Sequence, residues 1–460
     1  MAETLLIDVV PGETRAALLD DGRPVELVYA RAGQESRVGQ VFLGRVGRVL
    51  PGVNAAFVEL GLDRAGFLSL GDSVEPLHEG KAVVLQVAKD AIGRKGVQLT
   101  RRIAIAGRTL VLTPLQPGVQ VSRRIGDETE QKRLTRAMGA IAGPGEGFIL
   151  RTAAAGASED ELAADAAFVR AIWDEIEFAA REKRAPALLH AGLDPLPRLL
   201  VELAGREVER VVLDDTAAFA AAKRFTSRAA SDLTSKLELY ADGGALFDGY
   251  GIEAEIEQAL GSHVRLPSGG EIVIESTEAL TAVDVNTGSF VGSGRQEDTL
   301  ARTNVEAAAE VARQLRLRSI GGLVAIDFVN MEEEGSWNRV LAALGEALAR
   351  DRTTSRVLGR TPGGLVEVTR RRTREPLAQL LTGHWRATEK TSETTAFDAL
   401  RAIKREAARR PGRVRVAAAT EVAACLDGPH LAALAQLIGR EVSVAPEPGW
   451  PRGRYEIVVE

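Results

Sequence analysis

Cysteine, aromatic residues and long apolar runs are all scarce in this 460-residue chain. The one cysteine, Cys425, excludes an internal disulfide and makes a cysteine-rich zinc site within a single chain impossible. No run approaches the roughly 18 to 20 apolar residues that a membrane helix needs. The N-terminal stretch MAETLLIDVV has an acid at position 3 and no basic lead, which is unlike a secretory signal. These absences predict a cytoplasmic protein with no membrane partner.

The bulk composition is that of a folded protein with several domains. Hydrophobic residues make up 45% of the chain and charged residues 27%, so a disordered chain is not indicated. The length exceeds what one ordinary hydrophobic core supports. A net charge of −6 argues against a generally basic nucleic-acid coat, although it does not exclude a local basic groove.

The N-terminal hundred residues have a strand pattern. Residues 1–35 alternate short apolar runs with turn residues, and residues 38–100 contain about five short strands broken by Gly, Asn and Asp. The second pattern predicts a small closed barrel of the oligonucleotide-binding type. Phe42, Phe57 and Phe67 either offer stacking surfaces for bases or fill the barrel. Basic residues accompany them in the sequence: Arg45, Arg48, Arg64 and Lys95.

Residues 101–195 mix strands with one long helical stretch. Ser158 and Glu161 form a capping-box signature that predicts the start of this helix. Just before it, Arg151 and Thr152 follow the apolar run GFIL, in front of a loop of small residues. An arginine fork and a hydroxyl there can hold a phosphate, and the alternative is a surface ion pair.

The stretch LTAVDVNTGSF, residues 280–290, ends an apolar strand in an acid and an amide. Because side chains alternate along a strand, Asp284 and Asn286 should share one face, with Val283 and Val285 on the buried face. Asp327 ends the later strand LVAIDFVNM in a similar way. If the two strands are neighbours in an α/β sheet, both carboxylates project at one rim.

Two acids and an amide favour Mg²⁺ over Zn²⁺, since hard cations prefer oxygen ligands and keep several waters. Such a site suits phosphodiester hydrolysis. The alternative is that these residues cap turns and helices. The five histidines are scattered, and neither a nucleophile elbow nor a P-loop is present.

The C-terminal part has two arginine-rich stretches, 352–374 and 401–415. The arginines of each stretch either bind phosphates along a nucleic-acid backbone or lie on a helix face exposed to water. After about residue 383 the alternating pattern predicts a small α+β domain.

Several segments together resemble the ribonuclease E/G family. VRLPSGGEIVIESTEALTAVDVNTG and TNVEAAAEVARQLRLRSIGGLVAIDFVNM are similar to the catalytic core of that family. GRVLPGVNAAFVELGLDRAGFLSLGD is similar to its S1 barrel, and SRRIG with ILRTAAAG to its 5′-end sensor. The resemblance covers about residues 1–375.

The resemblance implies a multidomain fold of α/β and α+β parts. An RNase H-like domain is interrupted by an S1 (OB-type) barrel and a 5′-sensor domain, and a deoxyribonuclease-I-like catalytic domain follows. The expected boundaries are 1–35 and 196–259 for the RNase H-like domain, 36–100 for the S1 domain, 101–195 for the sensor, 260–382 for the catalytic domain and 383–460 for a small C-terminal domain.

It also implies the activity and the residues that perform it. The family cleaves single-stranded RNA endonucleolytically with Mg²⁺, for which Mn²⁺ can substitute, and favours 5′-monophosphorylated ends. The expected metal ligands are Asp284 and Asp327, with Asn286 as a third catalytic residue that supports the acid and the scissile phosphate. The other residues carried over are Phe57, Phe67 and Lys95 for RNA binding, and Arg151 and Thr152 for the 5′-monophosphate.

One departure concerns assembly. Better-known members have a Cys-Pro-x-Cys motif after the catalytic domain, through which two chains share zinc, and here RRRTREPLAQLLTG stands in its place. No zinc is therefore expected, and any homodimer would form without a zinc link. The chain is similar to the short, ribonuclease G-like branch of the family.

A rival interpretation is a non-catalytic S1-domain RNA-binding protein. A relative without turnover would be free to lose its acids, whereas Asp284, Asn286 and Asp327 all stand in their motif settings. The sequence therefore favours the enzyme.

Overall fold

The computed structural model describes residues 2–33, 36–71, 77–91, 96–241, 244–287, 296–426 and 428–460. The chain folds as two compact units, each built from segments that are distant in sequence. The first comprises Met1–Tyr29, Val212–Asp214 and Tyr240–Glu460, and the second comprises Ala30–Val211 and Asp215–Leu239. Among the helices of the described ranges, none is long and apolar enough to cross a membrane. The predicted domain boundaries are not tested by this division and stay predictions.

The chain begins with three consecutive strands, as the pattern of residues 1–35 predicts. They are β1 (Glu3–Val10), β2 (Glu13–Asp20) and β3 (Arg23–Arg31). β1 pairs antiparallel with β2, and β3 lies on the other side of β2. The turn after β2 has positive φ at both Asp21 and Gly22, which suits the twist of a tight hairpin.

A closed barrel of five strands follows. Its strands are β4 (Val41–Leu50), β5 (Ala55–Glu59), β6 (Gly66–Ser69), β7 (Ala82–Lys89) and β8 (Gln98–Thr100). The order β4-β5-β6-β8-β7 closes on itself because β7 also pairs with β4. Gly44 permits close packing inside, since a Cβ there would lie 2.5 Å from Val58 Cγ1. The barrel predicted for residues 38–100 is confirmed.

The next segment combines a four-stranded sheet with two helices. Its elements are β9 (Ile105–Ala106), β10 (Leu110–Leu112), β11 (Gly118–Val121), α1 (Glu128–Ile141), β12 (Gly147–Leu150) and α2 (Glu159–Glu182). The strand order is β11-β12-β10-β9, and β11 runs parallel to β12. At the start of α2, the Ser158 hydroxyl accepts from the Glu161 N–H and the Glu161 carboxylate accepts from the Ser158 N–H. The predicted capping box is confirmed.

Residues 187–260 form the next segment of helices and short strands. The elements are β13 (Ala187–His190), α3 (Pro195–Leu203), β14 (Val208–Leu213), α4 (Thr216–Ala229), α5 (Ser231–Thr234), β15 (Leu237–Leu239), α6 (Leu246–Gly249) and α7 (Ile252–Leu260). β13 pairs with β4 beside the barrel. In the first unit, the Val9 N–H donates to Asp214 Oδ1 over 3.0 Å, which joins the end of β14 to β1.

A six-stranded mixed sheet forms the largest layer of the first unit. Its elements are β16 (His263–Arg265), β17 (Glu271–Ser276), β18 (Leu280–Asn286), α8 (Gln296–Leu317), β19 (Gly322–Asp327), α9 (Glu334–Ala349), β20 (Ser355–Arg360) and β21 (Val366–Arg370). The order is β16-β17-β18-β19-β21-β20, and β18 and β19 are parallel. Both helices pack on the same face, against alternate strand residues such as Val283, Val324 and Val368. This packing leaves the intervening residues on the opposite face.

The C-terminal segment is a small α+β arrangement, as predicted. Its elements are α10 (Leu377–Thr382), α11 (Ser392–Arg409), β22 (Val414–Ala419), α12 (Thr420–Leu426), α13 (Pro429–Ile438), β23 (Val442–Glu447) and β24 (Tyr455–Val459). β22 lies between β23 and β24.

Two of the arginines in the basic stretches are buried within the fold. Arg370 donates through Nε to the buried carboxylate of Asp351 over 2.7 Å. Arg401 on α11 is paired with Asp8 and Glu13, which are buried on β1 and β2. These two arginines neither bind phosphates nor lie on a face exposed to water, because each neutralises a buried acid.

Glu26 on β3 forms a second buried ionic cluster. Its carboxylate accepts from Arg316 over 3.0 Å and from Arg374 over 2.8 Å. Burial alone would raise the pKa of Glu26, but the guanidinium groups of Arg374 and Arg316 outweigh it and lower the pKa to about 2. The folded-state pKa therefore lies below the ordinary value of 4.5. The stabilisation is complete above about pH 4.5 and is lost as the pH falls towards 2.

Glu26→Gln should lower the free energy of unfolding at pH 7 by about 3 kcal/mol, because the buried Arg316 and the partly exposed Arg374 lose their counter-charge. The loss should shrink between pH 4.5 and pH 2, where the wild-type carboxyl group itself protonates. Urea unfolding across this range measures both effects. Glu421→Gln is the matched control, since Glu421 forms an exposed pair with Arg452. Equal, small losses in both variants would contradict the assigned role of Glu26.

Candidate active site

The rim of the six-stranded sheet brings together the three residues expected to be catalytic. In the parallel pair β18 and β19, Asp284 and Asp327 are direct register partners. Adjacent strands lie about 4.8 Å apart, and side chains in register point to the same face. Asp284, Asn286 and Asp327 are all exposed, whereas Val283 and Val285 are buried, at 1% and 5% exposure. The predicted alternation and the shared rim are both confirmed.

Asn286 holds the carboxylate of Asp284. Its Nδ2 donates to Asp284 Oδ2 over 2.8 Å, within the same strand and on the same face. The bond engages one of the two carboxylate oxygens of Asp284. Next to Asn286, in register on β17, lies Glu271, whose carboxylate is hydrogen-bonded to His263. Sequence reasoning missed Glu271, because only strand pairing brings it to this rim.

Hydrogen bonds from the helices α8 and α9 hold the segment that follows Asp327. Asn304 on α8 is completely buried; its Nδ2 donates to the Val329 carbonyl over 2.7 Å and its Oδ1 accepts from the Val329 N–H over 3.0 Å. The Trp337 indole on α9 donates to the Met331 carbonyl over 3.0 Å. These contacts position the strand end that presents Asp327. The sequence gives only a weak signal for Asn304, a polar residue on an otherwise apolar helix face.

The donor set at the rim suits a hard divalent cation. In the described part of the chain, no cluster of three or more His, Cys, Asp or Glu side chains could hold a metal ion. Two exposed carboxylates with a neighbouring amide instead leave most coordination positions to water, which is how Mg²⁺ is usually bound. Mg²⁺ would be held by Asp284 and Asp327, and Mn²⁺ has the same ligand preference. The residues present therefore fit the metal that the sequence suggests.

The barrel presents two of the three phenylalanines on its outer surface. Phe57 on β5 and Phe67 on β6 are register partners with 40% and 37% exposure, and their ring centroids lie 6.0 Å apart at 71°. Arg48 on β4 is the register partner of Phe57 and is also exposed. Phe42 is 3% exposed and lies in the barrel core. The expectation of a stacking Phe42 was therefore wrong, as was the alternative that all three rings fill the barrel.

Lys95, the third residue expected to bind RNA, lies outside the described residues, so its role stays a prediction. Arg45, one of the other basic residues of this segment, donates through Nη2 to the Ala185 carbonyl over 2.5 Å. That bond commits part of its guanidinium group to the protein itself.

Arg151 and Thr152 follow β12, at the sheet edge where its parallel neighbour β11 also ends. Val121 on β11 is the register partner of Leu150 on β12, so the segments that begin at Ser122 and Arg151 emerge at one edge. The hydroxyl groups of Ser122 and Thr152 lie 3.4 Å apart. Sequence reasoning did not single out Ser122, although the quoted SRRIG segment contains it. An edge with hydroxyls and an arginine is suited to a phosphate.

The orientation of Arg151 is set by a backbone carbonyl. Its Nη1 donates to the Gly107 carbonyl over 2.7 Å. Gly107 packs against the buried Asp165 of α2, since a Cβ at Gly107 would lie 2.4 Å from Asp165 Oδ1. Asp165 also accepts from the N–H groups of residues 108–110. The loop that positions Arg151 is thus attached to the helix α2.

Comparisons with known proteins identify the family of this chain. A family model described as the ribonuclease E/G family matches residues 104–373. The chain is 38% identical to ribonuclease G of Salmonella typhimurium and of Escherichia coli K12, in alignments that cover 100% of this chain and of each relative. It is 37% identical to ribonuclease E of a Nostoc species, over 79% of this chain and 55% of that protein. The chain belongs to the ribonuclease E/G family.

Proposed function

We propose that this protein is an endoribonuclease that hydrolyses single-stranded RNA at the Asp284–Asp327 rim, with Mg²⁺ as cofactor and a preference for 5′-monophosphorylated ends. Family membership supports a ribonuclease that acts in RNA processing and decay. The single observation that supports the catalytic assignment is the direct register of Asp284 and Asp327 on parallel strands. A pair of carboxylates at the exposed end of a sheet is an arrangement suited to phosphoryl chemistry.

Each residue at the rim has a distinct task in this proposal. Mg²⁺, when bound, would polarise the scissile phosphate and supply an activated water. Asp284 and Asp327 provide the negative charge that would retain the cation beside the phosphate. Asn286 orients Asp284 through its Nδ2 and can offer its other amide proton to a phosphate oxygen. Asn304 holds the end of β19 in place, so that the distance between the carboxylates of Asp284 and Asp327 stays constant.

RNA binding is assigned to side chains of the second unit. The exposed rings of Phe57 and Phe67 offer faces on which bases can stack, and Arg48 adds positive charge beside them. Stacking tolerates any base, so these residues are expected to support binding with little sequence preference. Arg151 and Thr152 would bind a terminal phosphate through a guanidinium fork and a hydroxyl.

The assay that tests the proposed function uses purified protein and one end-labelled single-stranded RNA, with and without Mg²⁺. Internal cleavage that requires Mg²⁺ is the expected result. The rival, a non-catalytic S1-domain RNA-binding protein, would bind the RNA without producing any internal cut. That outcome would contradict the proposal.

Arg151→Ala should remove the advantage of a 5′-monophosphate. The wild type should cleave the monophosphorylated RNA about tenfold or more faster than the same RNA with a 5′-hydroxyl, because charged hydrogen bonds to a phosphate are strong. The variant should cleave both at the slower rate. Arg181→Ala on α2 is the matched control, since Arg181 is exposed and pairs with Glu177. If Arg151→Ala still preferred the 5′-monophosphorylated RNA, Arg151 would not be the sensor residue. The assignment of the catalytic site to Asp284 and Asp327 would be unaffected.

A further inference from the structure

A cavity of about 750 Å³ lies within the first unit, at the edge of the six-stranded sheet opposite the acidic rim. It is lined by Leu280 and Thr281 at the start of β18 and by Gly321 just before β19. Asp284 and Asp327 lie at the other ends of the same strands. Along β19 the six-residue step from Gly321 to Asp327 corresponds to about 20 Å, and along β18 the three-residue step from Thr281 to Asp284 corresponds to about 10 Å. The cavity is therefore separate from the proposed cleavage site.

Arginine is the most frequent charged residue in the lining. Four arginines contribute: Arg318, Arg372, Arg374 and Arg386. Arg374 is paired with Glu26 and is neutralised by it. The remaining three form no ion pair with an acid in the part of the chain that the structure describes. Glu275 and Glu278 also line the cavity, but both are exposed and solvent screens their charge.

Arg318 is the most deeply buried of these arginines, with 7% exposure. Its Nε donates to Gln314 Oε1 and its Nη1 to the Gly261 carbonyl, each over 2.6 Å. Its Nη2 is buried and has no hydrogen-bond partner among the residues that the structure describes. Burial, followed by the charge of Arg313, lowers the pKa of Arg318 to about 10. The charges of Glu310 and Glu255 offset part of the cost of this burial, but the hydrogen-bond partners of Arg318 are neutral and one donor is unused, so a further anion would stabilise it.

Arg372 is held at the cavity by two glycines. Its Nε donates to the Gly321 carbonyl over 3.1 Å, and its side chain lies along the Gly321–Gly322 backbone. A Cβ at Gly321 would lie 2.9 Å from Arg372 Cγ, and Gly322 has φ of +105°. Only glycine allows the arginine to lie this close. The contact fixes the long, exposed side chain of Arg372 before any ligand binds, which lowers the entropic cost of binding an anion.

Trp385 adds an aromatic surface with an unused donor. Its Nε1 is buried without a hydrogen-bond partner among the described residues, and its ring stacks on His384 with centroids 4.4 Å apart. Buried indole N–H groups normally find an acceptor. Arg318 and Trp385, which both line the cavity, thus each carry one buried donor without a partner in the described part of the chain.

We propose that this cavity binds a nucleoside phosphate, with the phosphate on Arg318, Arg372 and Arg386 and the base beside Trp385. Its volume is in the range of small-molecule sites and is large for a bare inorganic anion. Guanidinium groups match phosphate oxygens in geometry and charge, and an indole suits a base. The carboxylates of Glu275 and Glu278 can accept from amino groups of a base. The ligand is either a free nucleotide or a nucleotide within an RNA chain.

The test measures binding by calorimetry in the full-length Arg151→Ala protein, so that the proposed sensor does not contribute. The probes are AMP, UMP, inorganic phosphate and a short RNA with a 5′-hydroxyl. The nucleotides should bind at one site per chain, more tightly than inorganic phosphate. Arg372→Gln combined with Arg386→Gln should weaken binding about tenfold or more, because two charged contacts are lost. Both side chains are exposed enough for the fold to tolerate the change.

Arg415→Gln is the matched control, since Arg415 is exposed on β22 and does not line the cavity. If only the RNA binds, and its affinity falls in the double variant but not in the control, the ligand is a nucleotide of an RNA chain. If the free nucleotides bind with the same dependence, the ligand is a free nucleotide. Equal affinities in the double variant and the control, or no binding of any probe, would overturn the proposal. RNA cleavage by the wild type is measured separately and reports only on the proposed function.

Discussion

Asp284→Asn and Asp327→Asn should each reduce the cleavage rate of a 5′-monophosphorylated single-stranded RNA by about a hundredfold or more. The substitutions keep the size of each side chain and remove one of the two charges that hold the cation. RNA affinity should change little, because most phosphate and base contacts lie elsewhere. Single-turnover cleavage measures the first effect, and a filter-binding titration with the same RNA measures the second.

Asp174→Asn serves as the control for these two variants. Asp174 is exposed on α2, in the other unit of the chain, and its substitution should leave the cleavage rate unchanged. A wild-type rate in either Asp284→Asn or Asp327→Asn would exclude that residue from the catalytic centre. A loss of cleavage accompanied by loss of the folded state would be recognised by circular dichroism of the same samples.

The combined substitution Phe57→Ala and Phe67→Ala should weaken single-stranded RNA binding by about tenfold to a hundredfold, because each stacked base contributes about 1 to 3 kcal/mol. The two rings are adjacent and more than one-third exposed, so their removal costs the barrel core little. Cleavage at subsaturating RNA should fall by the same factor. Cleavage at saturating RNA should fall much less, since the rim residues remain in place.

Phe178→Ala is the matched control for the aromatic pair. Phe178 is 66% exposed on α2 and belongs to the same unit as the barrel. Its removal should leave RNA affinity unchanged. Equal affinities of the double variant and of the wild type would show that the two exposed rings do not bind RNA.

The sequence predicted the acidic rim well because strand periodicity is a local property. Alternation along residues 280–286 placed Asp284 and Asn286 on one face before any pairing was known. The pairing of that strand with β19 was only a condition of the prediction, since an intervening helix permits parallel neighbours without requiring them, and the structure supplies it. The resemblance to the ribonuclease E/G family added the expected roles of the residues, which the fold alone does not supply.

Other features depend on contacts between distant segments and could not be read locally. The basic composition around Arg370 and Arg401 suggested a surface, yet each lies against a buried acid from a remote part of the chain. The three phenylalanines of the barrel look alike in sequence, and only strand register separates Phe42 inside from the two rings outside. Asn304 acts through a backbone segment 25 residues away, which no local pattern indicates.

The arginine-rich cavity also depends on tertiary structure. Its lining combines the end of α8, the start of β18 and the segment around Trp385, which are separated by up to about a hundred residues in sequence. The segment around Trp385 follows RRRTREPLAQLLTG, the stretch that stands where better-known family members have their cysteine motif. A nucleotide site there would give this part of the chain a binding role that does not require zinc.

The Mg²⁺ dependence of cleavage, compared between the wild type and Asp327→Asn, tests the proposed metal centre most directly. The wild type should be inactive in the presence of a chelator and should regain cleavage as Mg²⁺ is added in excess. Asp327→Asn should need a higher Mg²⁺ concentration for half-maximal cleavage and should reach a lower maximal rate, because one ligand charge is missing. Cleavage that persists in the chelator, or identical Mg²⁺ curves for the two proteins, would contradict a metal centre at Asp284 and Asp327.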